Sequence, residues 1–408
     1  MRKNRIVGFV CLLSIISISF ATPELSGYYR NYVGGFIGKG QSYSIIQNAL
    51  NLNIQTSSSK YAIKVNPYIY SYDDKVMEMG VREAYVDLYF DTIDLRIGKQ
   101  QIIWGKGDGV FITDVISPKN LSEFLLPDFE EIRTGVTAIK FDYYLDDNTF
   151  ELVGIPAFTA TVMPDSSSPW YLSPSFPITP SYDYSKKAVP VNFANGELFA
   201  KYSGLSSIMD YEIMWGSMWD DDPTMHVDKT TSGSQVTSIV VIPKHHRLNL
   251  LGGSVSSEFK GYVLRGESAY YTGKYFSSND PTLPEGVIQK NYIHSLMGVD
   301  GTLFGLTMST QFISKMILNY DSQIVNDEVE NTVTFMVRKD LWRETLHLEF
   351  FAYIGLNKSD ALIRPKVSYD LVDGVKVIAG ANLFVGSSGS FGNYDSNDMV
   401  YTKVQVSF

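Results

Sequence analysis

The chain holds 408 residues, with 44 acidic against 34 basic side chains, a net charge of −10, aromatics at 13%, charged residues at 19% and one cysteine. With 27 Tyr and 23 Phe and so little charge, it is not a disordered polymer. The acidic balance argues against nucleic acid as a partner, because no basic patch is present to displace phosphate counterions.

Arg2, Lys3 and Arg5 precede an apolar stretch from Ile6 to about Phe20, closed by Ser19-Phe20-Ala21. This is the pattern of a secretory signal peptide over residues 1–21, cleaved between Ala21 and Thr22. A spanning helix needs roughly 20 apolar residues, more than this run offers. Cys11 leaves with the signal, and so do three basic residues. The mature part, 22–408, is left with 31 basic against 44 acidic side chains, a charge of −13, and no thiol for a disulfide or for catalysis.

Beyond residue 21 the apolar residues recur with period two. Strands are expected at 24–37, 42–57, 60–71, 78–90, 92–104, 131–144, 148–157, 191–203, 207–219, 246–258, 260–271, 288–301, 303–315, 331–341, 344–356, 360–371, 374–386 and 398–408. Leu346, Leu348, Phe350, Ala352 and Ile354 share one face of their strand; His347, Glu349, Phe351 and Tyr353 share the other. Every second connection is tight, as at Lys260-Gly261, Leu303-Phe304 and Asp373-Gly374. Most of the others, at about 105–130, 158–190, 220–245, 272–287, 316–330 and 387–397, are long and polar. Short turns on one rim and long loops on the other predict an all-β, transmembrane, antiparallel up-and-down β-barrel of about 18 strands (range 16–18), a single domain over 22–408. Val236 to Ile242 either extends a hairpin above the membrane or adds a strand.

Several segments resemble a large, mostly uncharacterised family of outer-membrane barrels akin to the substrate-selective porins of Gram-negative bacteria. They are Leu95-Arg96-Ile97-Gly98-Lys99-Gln100 through Trp104-Gly105, then Ile116-Ser117-Pro118-Lys119-Asn120 and Leu126-Pro127-Asp128. Leu264-Arg265-Gly266-Glu267 with Tyr270 fits the same pattern, as does the tail from Phe384 to Phe408. The resemblance implies a barrel in the outer membrane. The terminal Phe408 resembles the signal read by the outer-membrane assembly machinery.

Enzymatic signatures are missing. Gly105-Lys106-Gly107 lacks the leading glycine and following Ser or Thr of a phosphate loop. His245 and His246 point to opposite faces of a strand and cannot jointly chelate on a regular backbone. No catalytic, metal or cofactor site is expected. With the oily face outward, Glu83, Asp87, Arg96, Glu197, Lys201, Asp210, Glu212, Arg265, Glu267, Arg338, Glu349, Arg364 and Lys366 face the lumen. Trp104, Trp215, Trp219 and Trp342 are expected in interfacial girdles. In loop 105–130, Asn120-Leu121-Ser122-Glu123 has capping-box spacing, which predicts a short helix carrying Leu121, Phe124 and Leu125. That helix would either fold into the barrel mouth, gathering Asp114, Glu130 and Arg133 around a constriction, or pack on the outer rim. The expected function is passive diffusion of small hydrophilic solutes or ions through a porin-like channel embedded in outer-membrane lipid. Its rivals are a transporter for hydrophobic compounds and a surface adhesin or structural barrel; monomer and trimer both fit.

Overall fold

The computed structural model describes residues 22–38, 42–73, 77–173, 176–232 and 235–408. The signal peptide expected at 1–21, Ala21 included, lies outside them. Eighteen strands form one sheet. The N-terminal half contributes β1 (Glu24–Phe36), β2 (Tyr43–Ser57), β3 (Tyr61–Tyr72), β4 (Met77–Tyr89), β5 (Ile93–Gln100), β6 (Val136–Leu145), β7 (Asn148–Ile155), β8 (Glu197–Leu205) and β9 (Asp210–Trp219). The C-terminal half contributes β10 (Arg247–Phe259), β11 (Tyr262–Ser277), β12 (Val287–Leu303), β13 (Leu306–Ile317), β14 (Val329–Leu341), β15 (Leu346–Gly355), β16 (Asp360–Val372), β17 (Val375–Val385) and β18 (Met399–Ser407). Each pairs antiparallel with its chain neighbours, and β18 returns to β1 in register from Tyr28↔Ser407 to Phe36↔Met399. The ladder therefore closes and leaves no strand edge unpaired.

Local chemistry explains the tight rim. Lys260-Gly261 (φ 52° and 82°) and Phe304-Gly305 (φ 53° and 69°) both place two consecutive residues in the left-handed region, as a type I′ hairpin turn requires. Alternation then assigns the two faces. Leu348, Phe350 and Ile354 of β15, Ile213 and Trp215 of β9, and Val400, Val404 and Val406 of β18 are exposed on the outside. The alternate residues Glu349 and Lys403 are drawn inward. No described helix is long and apolar enough to cross a membrane, so the strands with this oily belt do the crossing.

Four boundaries differ from the sequence reading. β5 ends at Gln100 rather than 104, and β6 begins at Val136 rather than 131, because the chain between them leaves the wall. Residues 191–196 lie outside the ladder: Asn192 caps a 3-10 turn, Phe193–Asn195, by accepting from the Asn195 amide. β11 runs on to Ser277 through a register irregularity at Thr272-Gly273, where Gly273 has φ 93°. The region 220–245 is mostly a hairpin above the barrel, Thr224–Ser232 against Gln235–Lys244, with Ser181–Tyr182 added in parallel. Val236 to Ile242 thus adds nothing to the wall.

Candidate functional site

The chain between β5 and β6 touches many strands at once. Arg265 of β11 donates to the Lys106 carbonyl and to Asp108 Oδ2, both at 2.8 Å. Glu267 of β11 accepts from the Lys106 amide (2.8 Å), the Thr113 amide (2.7 Å) and Thr113 Oγ1 (2.6 Å). Gln311 of β13 accepts from the Asp108 amide at 2.9 Å and donates to its carbonyl at 2.7 Å. Tyr353 of β15 donates to the Gly109 carbonyl, and Arg364 of β16 to the carbonyls of Leu125 and Leu126. On the other side Arg30 of β1 pairs with Glu131 at 3.0 Å, and Arg82 of β4 with Glu130 at 3.4 Å. A segment bonded to both halves of the circumference can only lie inside the barrel.

Apolar packing seats it. Trp104, Ile112 and Ile116 join Phe199, Met214, Leu250, Tyr271 and Leu296 in one buried cluster. Burying such side chains contributes roughly 1.5–3 kcal/mol each. Trp104 is 2% exposed, with its indole N–H on Glu151 Oε1 at 2.6 Å. The girdle assignment is thereby corrected for Trp104: the chain turns inward after Gln100 and carries the ring with it. Trp215 and Trp342 do stand exposed outside. Gly105 sits at φ 86°, and a Cβ there would lie 2.5 Å from Glu267 Oε1, so only glycine fits this approach.

The expected short helix carrying Leu121, Phe124 and Leu125 is not formed. Asn120 Oδ1 accepts from the Ser122 amide at 3.1 Å, an Asx turn rather than a helix cap, and Phe124 sits at φ 56°. The short helix present is α1 (Phe129–Ile132), beyond Pro127. Phe124 and Leu126 instead pack with Trp170, Phe384, Phe391 and Tyr394 in a second interior cluster. Trp170 comes from the loop between β7 and β8, and its carbonyl accepts from Tyr394 Oη at 3.2 Å. Beside this cluster a cavity of about 30 Å³ is lined by Arg30, Tyr32, Glu123, Glu131 and Lys403, among others. Burial there, with Glu131 nearby, lifts the Glu123 carboxyl to about 7.

The charged candidates meet in separate groups. Arg265 bridges Asp108 and Asp300, while Arg133 holds Asp114 at 2.6 Å. Burial lifts the Asp114 carboxyl above its ordinary range against the pull of Arg133. Arg96 pairs with Asp87 at 2.6 Å and Lys64 with Glu83 at 2.8 Å. Towards the short-turn rim, Arg338 and Lys366 share Glu349, and His347 lies between Asp340 (2.6 Å) and Asp370 (3.1 Å). Arg338, Asp340, His347, Glu349, Lys366, Ser368 and Lys376 line a polar cavity of about 360 Å³. Arg82 escaped the sequence reading although it lies beside Glu83. The register shift at Asn66/Pro67 skips Arg82, so both consecutive side chains make interior bonds.

Residues 21–168 match a family model described as a protein of unknown function, DUF1302. No curated protein matches the chain in sequence. Among solved structures, Acinetobacter baumannii OccAB2 superposes with a TM-score of 0.55 at 9% identity, covering 95% of this chain and 98% of that one. Pseudomonas aeruginosa OccK8 (OprE) gives 0.54 at 10%, covering 95% and 98%. Pseudomonas aeruginosa OccK2 (OpdF), solved in complex with glucuronate, gives 0.54 at 10%, covering 95% and 97%. The chain has the fold of an outer-membrane porin. In this porin-fold barrel the segment between β5 and β6 lies inside the wall, packed against Trp170 of the loop between β7 and β8.

Proposed function

We propose that the protein is a porin-like channel for passive diffusion of small hydrophilic solutes or ions, and not an enzyme. The observation that carries the reading is the charged vestibule of about 360 Å³ beneath the interior segment. Its ions of both signs would keep the path wet and filter polar solutes. In this reading Glu83, Asp87, Arg96, Asp114, Glu130, Arg133, Arg265, Glu267, Arg338, Glu349, Arg364 and Lys366 line or narrow the path. The vestibule charges and the interior bonds to residues 101–135 support those roles. The His347 and Glu349 contacts are the ion pairs of a wall, which supports a channel over a hydrolase. Phe408, whose amide and carbonyl pair with Gly27, would be the group read by the assembly machinery. Purified protein in planar bilayers should give discrete conductance steps. A silent bilayer with correctly folded protein would overturn the reading.

One observation favours the transporter for hydrophobic compounds as a second reading: the upper lumen holds two apolar clusters around Trp104 and Trp170. These clusters are filled by the protein's own side chains. Proteoliposome uptake of a sugar against uptake of a long-chain fatty acid separates the two.

A further inference from the structure

The loop between β7 and β8 enters the barrel before it returns to the wall. Inside, the Val162 amide donates to the Lys119 carbonyl, and the Leu121 amide to the Val162 carbonyl, both at 2.8 Å. Trp170 follows, 4% exposed in the cluster with Phe124, Phe384 and Tyr394. Beside it the Pro169 carbonyl accepts from Asn397 Nδ2 at 2.7 Å. On the way back Ser181–Tyr182 pairs with Val240-Val241 of the outer hairpin, and the Asp183 amide donates to the Val241 carbonyl at 2.9 Å. The chain is fixed to the wall again where Asn195 Nδ2 holds the Pro190 carbonyl and Arg247 holds those of Ala194 and Gly196.

Between the hairpin anchor and the wall anchor the loop is open. Tyr184 to Ala188 are all exposed, and Lys186-Lys187 stands in their midst. One turn bond, from the Lys187 amide to the Tyr184 carbonyl at 3.1 Å, is all that ties the backbone of Lys186 to Ala188 among the described residues. Neither ammonium has a carboxylate within 4 Å; Lys187 Nζ lies 5.9 Å from the Tyr184 ring. The other basic pair among the described residues, Arg338-Lys339, lies within β14 and is locked in its ladder against Glu349 and Leu348. An endopeptidase takes its substrate as an extended chain, so it can reach the first pair and not the second. The long-loop rim of such a barrel faces out of the cell, where an external enzyme would meet it.

We propose that Lys186-Lys187 is a processing site for a cell-surface endopeptidase with acidic specificity pockets, and that cutting there frees the strap that seats Trp170 in the barrel. Water adds across the Lys186–Lys187 amide. Its hydroxyl goes to the Lys186 carbonyl carbon, its proton to the Lys187 nitrogen, and the C–N bond breaks. The cut falls between the two anchors and spares every pair of the wall ladder. It ends the covalent closure of the loop, so Trp170 is left on a free-ended arm. The released arm regains the entropy that closure withheld, and the open state gains population. The cut and the release do not depend on what the barrel conducts; only their effect on conductance rests on the channel reading.

The test is limited trypsin digestion of the folded barrel in detergent, read by intact mass, with K186Q/K187Q beside it. Trypsin also binds its substrate through an acidic pocket. The first cut should fall after Lys186 or Lys187, and the two pieces should stay together and keep heat-modifiable migration. Hydrogen exchange of residues 161–170 should then rise above that of the intact barrel. Folded K186Q/K187Q should resist this cut and keep 161–170 protected under the same digestion. A first cut elsewhere in folded wild type, or unchanged exchange of 161–170 after the cut, overturns the proposal. In planar bilayers nicking should raise conductance, and a conducting barrel unmoved by nicking overturns the proposal as well. A bilayer silent both before and after nicking counts against the channel reading alone, and fragment masses and exchange still decide the proposal.

Discussion

Glu267 is the acceptor on which the interior segment depends most. Its carboxylate is 4% exposed and takes three donors, the Lys106 amide, the Thr113 amide and Thr113 Oγ1. A hydrogen bond to a charged group contributes about 1.5–3 kcal/mol, and a buried donor stripped of its partner costs a similar amount. The three are not additive, since the Lys106 amide can recruit water once the side chain is gone. Glu267→Ala should therefore weaken the seat by ~4 kcal/mol, close to a thousandfold gain in the population of a loosened segment. Glu267→Gln keeps the shape but sets an amide against one donor, and should cost about half as much. Planar-bilayer recording should show conductance and current noise increasing from wild type through Gln to Ala. Limited trypsin digestion should cut after Lys106 in the same order. Wild-type conductance and wild-type protection in folded Glu267→Ala would refute the reasoning.

Trp170→Ala removes a ring buried against Phe124, Phe384 and Tyr394 and should raise single-channel conductance; unchanged conductance would place the path elsewhere. The outer hairpin is latched by His226, whose Nδ1 meets Glu285 at 2.5 Å and whose Nε2 meets His246 Nε2 at 2.8 Å. Burial lowers the pKa of both imidazoles, His246 to about 4, so the folded latch binds fewer protons than the open one. Its stability is full above about 6.5 and falls as pH drops towards about 4, which hydrogen exchange of residues 224–244 should register as loss of protection in that window. The charge of −13 over residues 22–408 predicts weak cation selectivity that fades at high salt, and the reversal potential should shift further towards cations as Glu123 ionises above about pH 7. N-terminal sequencing of membrane-extracted protein should begin at Thr22; an intact Met1 would remove the export argument.

The wall was legible because hydrocarbon outside and water inside impose period two on its strands, as Leu348, Phe350 and Ile354 against Glu349, Phe351 and Tyr353 of β15 show. The interior segment was not. Ile103 keeps the outward register of Ile93, Leu95 and Ile97, while Ile102 and Trp104 fall on the lumen register of Arg96 and Gln100, so both faces read as apolar there; the partners that settle it are Glu151 on the Trp104 indole and Ser117 on the Ile102 amide. Phe124 and Leu125 carry helical spacing, yet an Asx turn at Asn120 and the aromatic cluster from three other segments decide the local backbone. Arg82 was hidden by a one-residue shift in pairing, which inverts the face of a side chain without any change in composition.

The position of the interior segment also constrains the order of events during biogenesis. Gly109 bonds to Tyr353 and Leu125 to Arg364, partners separated by 244 and 239 residues. Their strands leave the export channel late, so residues 101–135 must wait, incompletely satisfied, until β11 to β16 arrive. Contacts of such high sequence separation slow folding. A chaperone that holds the nascent chain would therefore have to shield Trp104, Ile112 and Phe124 for longer than any strand of the wall. Final seating of the segment would coincide with the meeting of β1 and β18, making closure and occlusion of the lumen a single late step.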